Sequence, residues 1–158
     1  MGNKVDILNE IYTRLNTAQG AGLDLVTVKR IQIGSREECR KLNDYPVINI
    51  TLESGEETYH SQPHTKTDKI KIQITLICNP LTGENGLYNT SGSLGSLYLF
   101  EKMLNVIDKT TAGAIDPGFS NYGDNIPAYT WSIEYIDQLI EYVLTLEVEA
   151  KQFMAGSR

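Results

Sequence analysis

The sequence predicts an α+β domain: a mostly antiparallel sheet of about five strands, with two helices packed on one face. Two observations predict this class. Segments with a two-residue apolar period come in runs separated by single helical segments, in the order α-β-β-β-α-β-β. The 158 residues, of which 41% are hydrophobic, are enough to bury one core without disulfides or metals. We therefore assign residues 1–150 to a single domain and residues 151–158 to a flexible C-terminal tail.

The first helix is predicted over residues 4–16. Its apolar residues recur with helical spacing and form one stripe: Val5, Leu8, Ile11, Tyr12 and Leu15. The β-branched segment 25–33 follows as a strand that ends at Gly34. The charged segment 35–44 has no strand pattern, so we expect a loop or a short exposed helical turn there.

Two further strands are predicted at residues 46–53 and 69–78. Alternate residues of the second strand are apolar: Ile70, Ile72, Ile74, Leu76 and Cys78. Such alternation indicates one buried face and one wetter face, which favours antiparallel pairing. The polar segment 54–68 between them is long for a hairpin turn, so we expect a loop of the kind that often carries function.

The second half of the chain holds one helix and a closing hairpin. Glycine-bearing loops are predicted at 80–92 and 110–127, on either side of a helix that Ser93 caps and that runs to about Lys109. Its predicted inner face consists of Leu94, Leu97, Tyr98, Met103, Leu104 and Ile107. Residues 128–137 and 139–149 alternate again and form a hairpin with its turn at 137–138.

Composition argues against several classes of protein. The net charge of −6 is opposite to that of proteins that hold duplex DNA by its phosphates. No apolar run approaches the roughly 20 residues that a membrane span needs, and the N-terminus does not have the pattern of a signal peptide. Cys39 and Cys78 do not form a CxxC motif, so we expect two reduced thiols in an intracellular protein.

Motifs for catalysis or metal binding are weak. His60, His64 and Asp68 are spaced by four residues, but Pro63 argues against the helix that would bring them together. The segment 92–95 is one residue short of a nucleophile elbow, and neither common phosphate-binding loop occurs. Paired carboxylates lie in polar segments, and no desolvated carboxylate for acid–base work is evident. We predict no cofactor and no enzymatic activity.

Two sequence segments and the order of the elements carry a resemblance to a known family. A V-x-V-K-R-I strand occupies positions 26–31, and Tyr-Pro-Val-Ile-x-Ile occupies positions 45–50. A long polar segment, a strongly alternating strand, a helix of about 16 residues and a hairpin follow. Over about residues 4–150, this pattern resembles the tail terminator proteins of long-tailed bacteriophages, also called tail completion or minor tail proteins.

The resemblance implies a structural virion protein that is assembled in the bacterial host cytoplasm. Family members form a hexameric ring that caps the tail tube and presents a surface to the head–tail connector. DNA only passes through the ring, and no cofactor or membrane is involved. By position, the candidate interface residues are Tyr59, His60, His64, Lys66, Glu147 and Glu149. The first four would contact the tube or a neighbouring subunit, and the two glutamates would line or edge the ring, where negative charge repels DNA.

Two alternatives stay open at this point. The chain could be another tail-tube or neck component of a phage or of a contractile injection system, which would stack into long tubes. A small α+β ligand-binding module or enzyme is the alternative from a different class, and it requires a buried polar cluster. Nine tyrosines against three phenylalanines favour a protein–protein contact, because tyrosine is common at such surfaces.

Overall fold

The computed structural model of the protein describes residues 4–42, 44–61, 64–79, 96–107, 128–136 and 139–153. Its elements are α1 (Lys4–Thr17), β1 (Arg30–Ile33), α2 (Arg36–Cys39), β2 (Val47–Ser61), β3 (His64–Cys78), α3 (Ser96–Ile107), β4 (Ala128–Ile136) and β5 (Leu139–Phe153). The strands form one sheet in the order β1-β2-β3-β5-β4. Among the described strands, β1 and β2 pair in parallel and the other neighbours are antiparallel. The predicted α+β class with a mostly antiparallel sheet is confirmed.

Helices α1 and α3 pack on the same face of the sheet, which we call the helix face. The alternation predicted for β3 is confirmed on this face, because Ile70, Ile72 and Ile74 are buried there. Helix α1 contributes Ile7, Ile11 and Leu15, and α3 contributes its own buried residues: Leu99, Phe100, Met103, Val106 and Ile107. These side chains form one core cluster, and burying them is the main driving force for folding. The other face of β3 is wetter at Lys69, Lys71 and Gln73, as predicted, but Thr75 and Ile77 on that face are fully buried.

The predicted helices are present, but their buried sides are rotated from the predicted ones. In α1, Ile7 is fully buried, whereas Val5 is 62% exposed. In α3, Phe100 is buried and Tyr98 is exposed. Apolar residues occur on more than one side of each helix, so spacing alone did not identify the side that faces the sheet. The predicted cap Ser93 lies outside the described residues.

The predicted strand 25–33 is correct only in its last part. Strand β1 covers Arg30–Ile33, and the preceding residues form turns in which Leu25 and Val28 are nevertheless buried. The Leu25 N–H donates to the Ala18 carbonyl over 2.9 Å, and the Val28 N–H donates to the Leu25 carbonyl over 3.0 Å. These local hydrogen bonds satisfy backbone groups that a strand ladder would otherwise use.

The opposite face of the sheet, which we call the second face, carries the short helix α2. Ser35 caps this helix by accepting a hydrogen bond from the Glu37 N–H. Cys39 is fully buried in a small cluster with Val47 and Ile77. The predicted short helical turn is therefore confirmed, but it is a packed element rather than an exposed one.

The prediction of a loop over residues 54–68 is wrong. Strands β2 and β3 continue through this segment and pair from Val47 opposite Ile77 to Ser61 opposite His64, with one register shift between Leu52 and Ser54. The segment is polar because both of its strands extend beyond the core, not because the chain is irregular. Backbone hydrogen bonds between neighbouring strands need no apolar side chains.

The C-terminal prediction also needs correction. Residues 151–153 belong to β5 and pair with β3, so the predicted flexible tail does not begin at residue 151. Residues 154–158, the predicted loops 80–92 and 110–127 and the predicted turn 137–138 lie outside the described residues. The two strands of the closing hairpin, β4 and β5, pair in antiparallel as predicted.

Candidate assembly interface

The most unusual feature of the sheet is the end of the β2–β3 hairpin, which we call the arm: residues 53–61 and 64–69. Every arm residue on β2 is exposed. Strand β1 pairs only with residues 47–50 of β2, so no described strand covers the other edge of β2 along the arm. An uncovered edge of this length presents a row of backbone donors and acceptors that another strand can use.

The backbone groups that face this open edge follow from the hydrogen bonds nearby. The Ile50 carbonyl accepts a hydrogen bond from the Gly34 N–H over 3.0 Å, so the backbone groups of Ile50 point away from β3. Alternate residues of a strand point their backbone groups to the same side. The register shift between Leu52 and Ser54 adds one residue and changes the phase. Beyond it, the residues that face the open edge are Gly55, Glu57, Tyr59 and Ser61.

Strand β4 has a second open edge at the other end of the sheet. It pairs only with β5 among the described strands. Ile74 lies opposite Ile50, and its backbone groups point toward Leu144 of β5. The backbone groups of Leu144 therefore point back toward β3. They point away from β4, where Trp131 is the partner of Leu144. The backbone groups of Trp131 and Ile133 therefore face outward.

Large aromatic side chains stand at both open edges. Tyr59 is 58% exposed and Trp131 is 55% exposed, and the register places both on the helix face. Trp131 is held from one side by Phe100, with the ring centroids 5.7 Å apart. Exposed aromatic residues on a strand edge are a recurrent feature of protein contacts.

Polar contacts on the helix face fix the arm relative to α1. Glu57 accepts hydrogen bonds from the Tyr59 hydroxyl at 3.1 Å and from the Lys4 ammonium at 3.3 Å. Lys66 lies 3.6 Å from Glu57, and Lys4 lies 3.6 Å from Asp68. The hydrogen bond from Lys4, the one from Tyr59 and the charge of Lys66 lower the pKa of Glu57. Two of the predicted interface residues, Tyr59 and Lys66, thus meet at one carboxylate.

The two predicted histidines lie on different strands of the arm. His60 belongs to β2, and its Nε2 atom is 3.5 Å from the Thr67 hydroxyl. His64 begins β3, and its backbone lies opposite Ser61. His60 and Tyr59 are consecutive strand residues, so their side chains project to opposite faces of the arm.

The two predicted glutamates lie on an inner strand. Strand β5 lies between β3 and β4, so Glu147 and Glu149 do not stand at an open edge of the sheet. In register, Glu147 lies opposite Lys71 and Glu149 lies opposite Lys69. Opposite charges on neighbouring strands attract and offset each other. At Glu147, this pairing does not favour a purely acidic lining.

A buried ionic cluster on the second face was missed at the sequence level. Glu141 of β5 is fully buried, and its carboxylate accepts hydrogen bonds from Arg36 at 2.6 Å and from two nitrogens of Arg40, Nε and Nη2. Arg36 also donates to Glu134 of β4 and, at 3.4 Å, to Gln73 of β3. Arg36 and Arg40 are four residues apart, which places both on one side of a helical turn. That spacing is the signal from which the cluster could have been predicted.

The electrostatics of this cluster favour a structural role. Burial opposes ionisation of Glu141, but the hydrogen bonds from Arg40 and Arg36 outweigh it and lower the pKa of the carboxyl. Glu141 is therefore ionised at neutral pH and already bound to two cations, which makes it a poor general acid or base. Burial raises the pKa of the neighbouring Cys39 thiol, which disfavours a thiolate nucleophile. The cluster attaches α2 to β3, β4 and β5.

Comparisons with known proteins add no further assignment. No protein-family model matches the sequence, and no curated protein matches it at a significant level. None of the helices in the described part of the chain has the length and apolar character needed to span a bilayer. Within the same residues, no group of three or more His, Cys, Asp or Glu side chains is placed to hold a metal ion.

Proposed function

We propose that the protein is a ring-forming tail terminator of a long-tailed phage or prophage, which caps the tail tube and joins it to the head connector. One observation supports this function best: among the described strands, the sheet has two different open edges, one along the arm of β2 and one along β4. A contact between two different edges is head-to-tail, and head-to-tail contacts generate closed rings or open filaments.

The features of the arm fit a protein that must meet partners on assembly. The arm is too exposed to add much to the core, yet it is kept extended by β3 on one side and tied to α1 by Lys4. A preorganised arm loses little conformational entropy when it binds. The overall charge of −6 suits a channel through which DNA slides, because phosphate is repelled from such a surface.

The direct test is termination of tube growth. The tail tube protein of the same phage or prophage is polymerised with and without this protein at a low molar ratio, and tube lengths are measured by electron microscopy. We expect shorter tubes with one additional ring at a single end. Glu38→Gln, at an exposed position of α2 that belongs to neither open edge, serves as the control and should terminate growth like the wild type.

Two results would contradict the proposal. Tubes of unchanged length without an end ring would exclude a terminator. Incorporation of the protein along the whole tube would instead identify a tube component, which the same open edges can produce if the contact does not close.

A further inference from the structure

We infer that the open edge of the arm pairs with the open edge of β4 from a second copy of this chain, which continues the sheet from one subunit to the next. The inference deepens the proposed function and rests on it for ring closure, because it names the surfaces that join neighbouring subunits. It is carried by strand direction, register and the side chains at both edges.

Strand direction makes the pairing antiparallel. Strand β2 runs opposite to β3, β3 opposite to β5 and β5 opposite to β4, so β2 and β4 run in opposite directions. A neighbour related by rotation about a ring axis keeps the direction of its strands along that axis. Its β4 therefore meets β2 in the antiparallel arrangement, which is slightly more stable per residue than the parallel one.

The register of the proposed pairing follows from which residues of β2 are already paired on that edge. Strand β1 pairs with residues 47–50, and the irregularity between Leu52 and Ser54 interrupts the edge just beyond. Residues 54–61 of β2 lie beyond both the β1 pairing and the irregularity. They accommodate residues 129–136 of β4 when Tyr59 lies opposite Trp131 and Glu57 lies opposite Ile133. In this register, β1 and the incoming β4 lie end to end along β2.

The backbone groups match in this register. Glu57 and Tyr59 face their open edge, and so do Trp131 and Ile133, so the opposing residues form hydrogen-bonded pairs. Side chains of directly opposed residues lie on the same face of a sheet, here the helix face. The exposed rings of Tyr59 and Trp131 then become a cross-strand aromatic pair.

The geometry also staggers the subunits. Within one copy, the register across β5 and β3 places Trp131 at the same height as Ile50 of β2. Between copies, Trp131 lies opposite Tyr59 instead. The shift is about eight residues, or roughly 26 Å along the strands. Strands staggered in this way are tilted relative to the ring axis, as closed sheets require.

Engineered disulfides test the pairing. A chain with Tyr59→Cys is mixed with a chain with Trp131→Cys and oxidised, and a second mixture combines Glu57→Cys with Ile133→Cys in case the loss of Trp131 weakens the fold. Hydrogen-bonded pairs have Cα separations within the range of disulfides. The native cysteines give little background, because both are buried and burial raises the pKa of the Cys78 thiol to about 12.

We expect a covalent dimer from both mixtures, with about tenfold more product than from the control mixture of Tyr59→Cys with Ser132→Cys. Ser132 neighbours Trp131 in β4, but its side chain lies on the opposite face of the sheet. A chain that carries both Tyr59→Cys and Trp131→Cys should form a ladder of covalent oligomers that stops at the size of the ring.

Native mass of the wild-type chain separates the outcomes. A ring of normal mass with no cross-link in either mixture would overturn the pairing but leave the terminator function in place. An equally strong dimer of Tyr59→Cys alone would show two arms pairing with each other, which also overturns it. Strong cross-links in a protein that grows into filaments along the tube would retain the pairing and contradict the terminator function.

Discussion

The two halves of the β2–β3 hairpin contrast sharply although they belong to one continuous pair of strands. The rest of the hairpin, residues 47–52 and 70–78, is what we call the lower half. There, Ile50 and Ile74 lie opposite each other and are completely buried beneath the helices. In the arm, Thr58 and Thr67 also lie opposite each other, but the neighbouring side chains are polar, and those on β2 are all exposed. The difference shows that pairing in this sheet extends well beyond the core. The lower half holds the fold together, whereas the arm is free to serve a contact.

The largest expected effect tests the lower half. Ile74→Ala removes a fully buried side chain from the centre of the sheet and should lower the free energy of unfolding by about 3–4 kcal/mol. Thr58→Ala in the arm should change it by less than about 0.5 kcal/mol. Urea unfolding followed by circular dichroism measures both. Similar losses at the two positions would mean that the arm belongs to the core.

A smaller effect is expected on the second face, where the buried cluster joins α2 to the sheet. Glu141→Gln leaves Arg36 and Arg40 without their shared carboxylate and should lower the free energy of unfolding by about 2–3 kcal/mol. Glu134→Gln is the matched control, because it contacts Arg36 from a position that is 45% exposed and should cost less than about 1 kcal/mol. If urea unfolding showed the same loss of unfolding free energy for both variants, the burial of Glu141 would add nothing to its effect on stability.

The pH dependence of stability should reflect the same cluster. The pKa of Glu141 is lowered in the folded protein, so its stabilising contribution is complete above the ordinary carboxyl value of about 4.3. That contribution is lost as the pH falls through the lowered folded-state pKa. Thermal midpoints measured between neutral and acidic pH should fall less steeply for Glu141→Gln than for the wild type. Parallel profiles would show that other carboxylates cause the acid sensitivity.

The smallest effect is expected at the arm carboxylate. Glu57→Gln removes the acceptor that Lys4 and Tyr59 share, but these contacts are exposed and screened by water. The unfolding midpoint at neutral pH should therefore stay within experimental error of the wild type, while hydrogen exchange at the N-terminal end of α1 becomes faster. Unchanged exchange would show that Glu57 does not fix the arm against α1.

The sequence predicted those parts of the fold that depend on strong local patterns. The strict alternation of β3 indicated a sheet with one buried face, and the helical spacing located α1 and α3. The arm was mistaken for a loop because apolar alternation reports burial rather than strand geometry, and the arm has little burial to report. Only its threonines and tyrosine, which are common in strands, pointed to the true structure.

The assembly interface stays a prediction, and the structure shows only where the predicted residues lie. Tyr59, His60, His64 and Lys66 all lie on the arm, as the suspected contact segment required. Their division between two strands and the open edges could not be derived, because both depend on strand order across the whole sheet. The same long-range order makes β5 an inner strand and buries Glu141. No local pattern around that residue shows this.

The most direct test of the account is the native mass of the purified chain over a range of concentrations, measured beside Tyr59→Pro. Proline removes one outward-facing N–H of β2 and spares the bonds to β3, and Tyr59→Ala controls for the lost ring. For the wild type we expect a closed species of about six subunits, which Tyr59→Ala retains in part and Tyr59→Pro shifts to monomer. A wild-type chain that stays monomeric or polymerises without a limiting mass, or a ring unaffected by Tyr59→Pro, would contradict it.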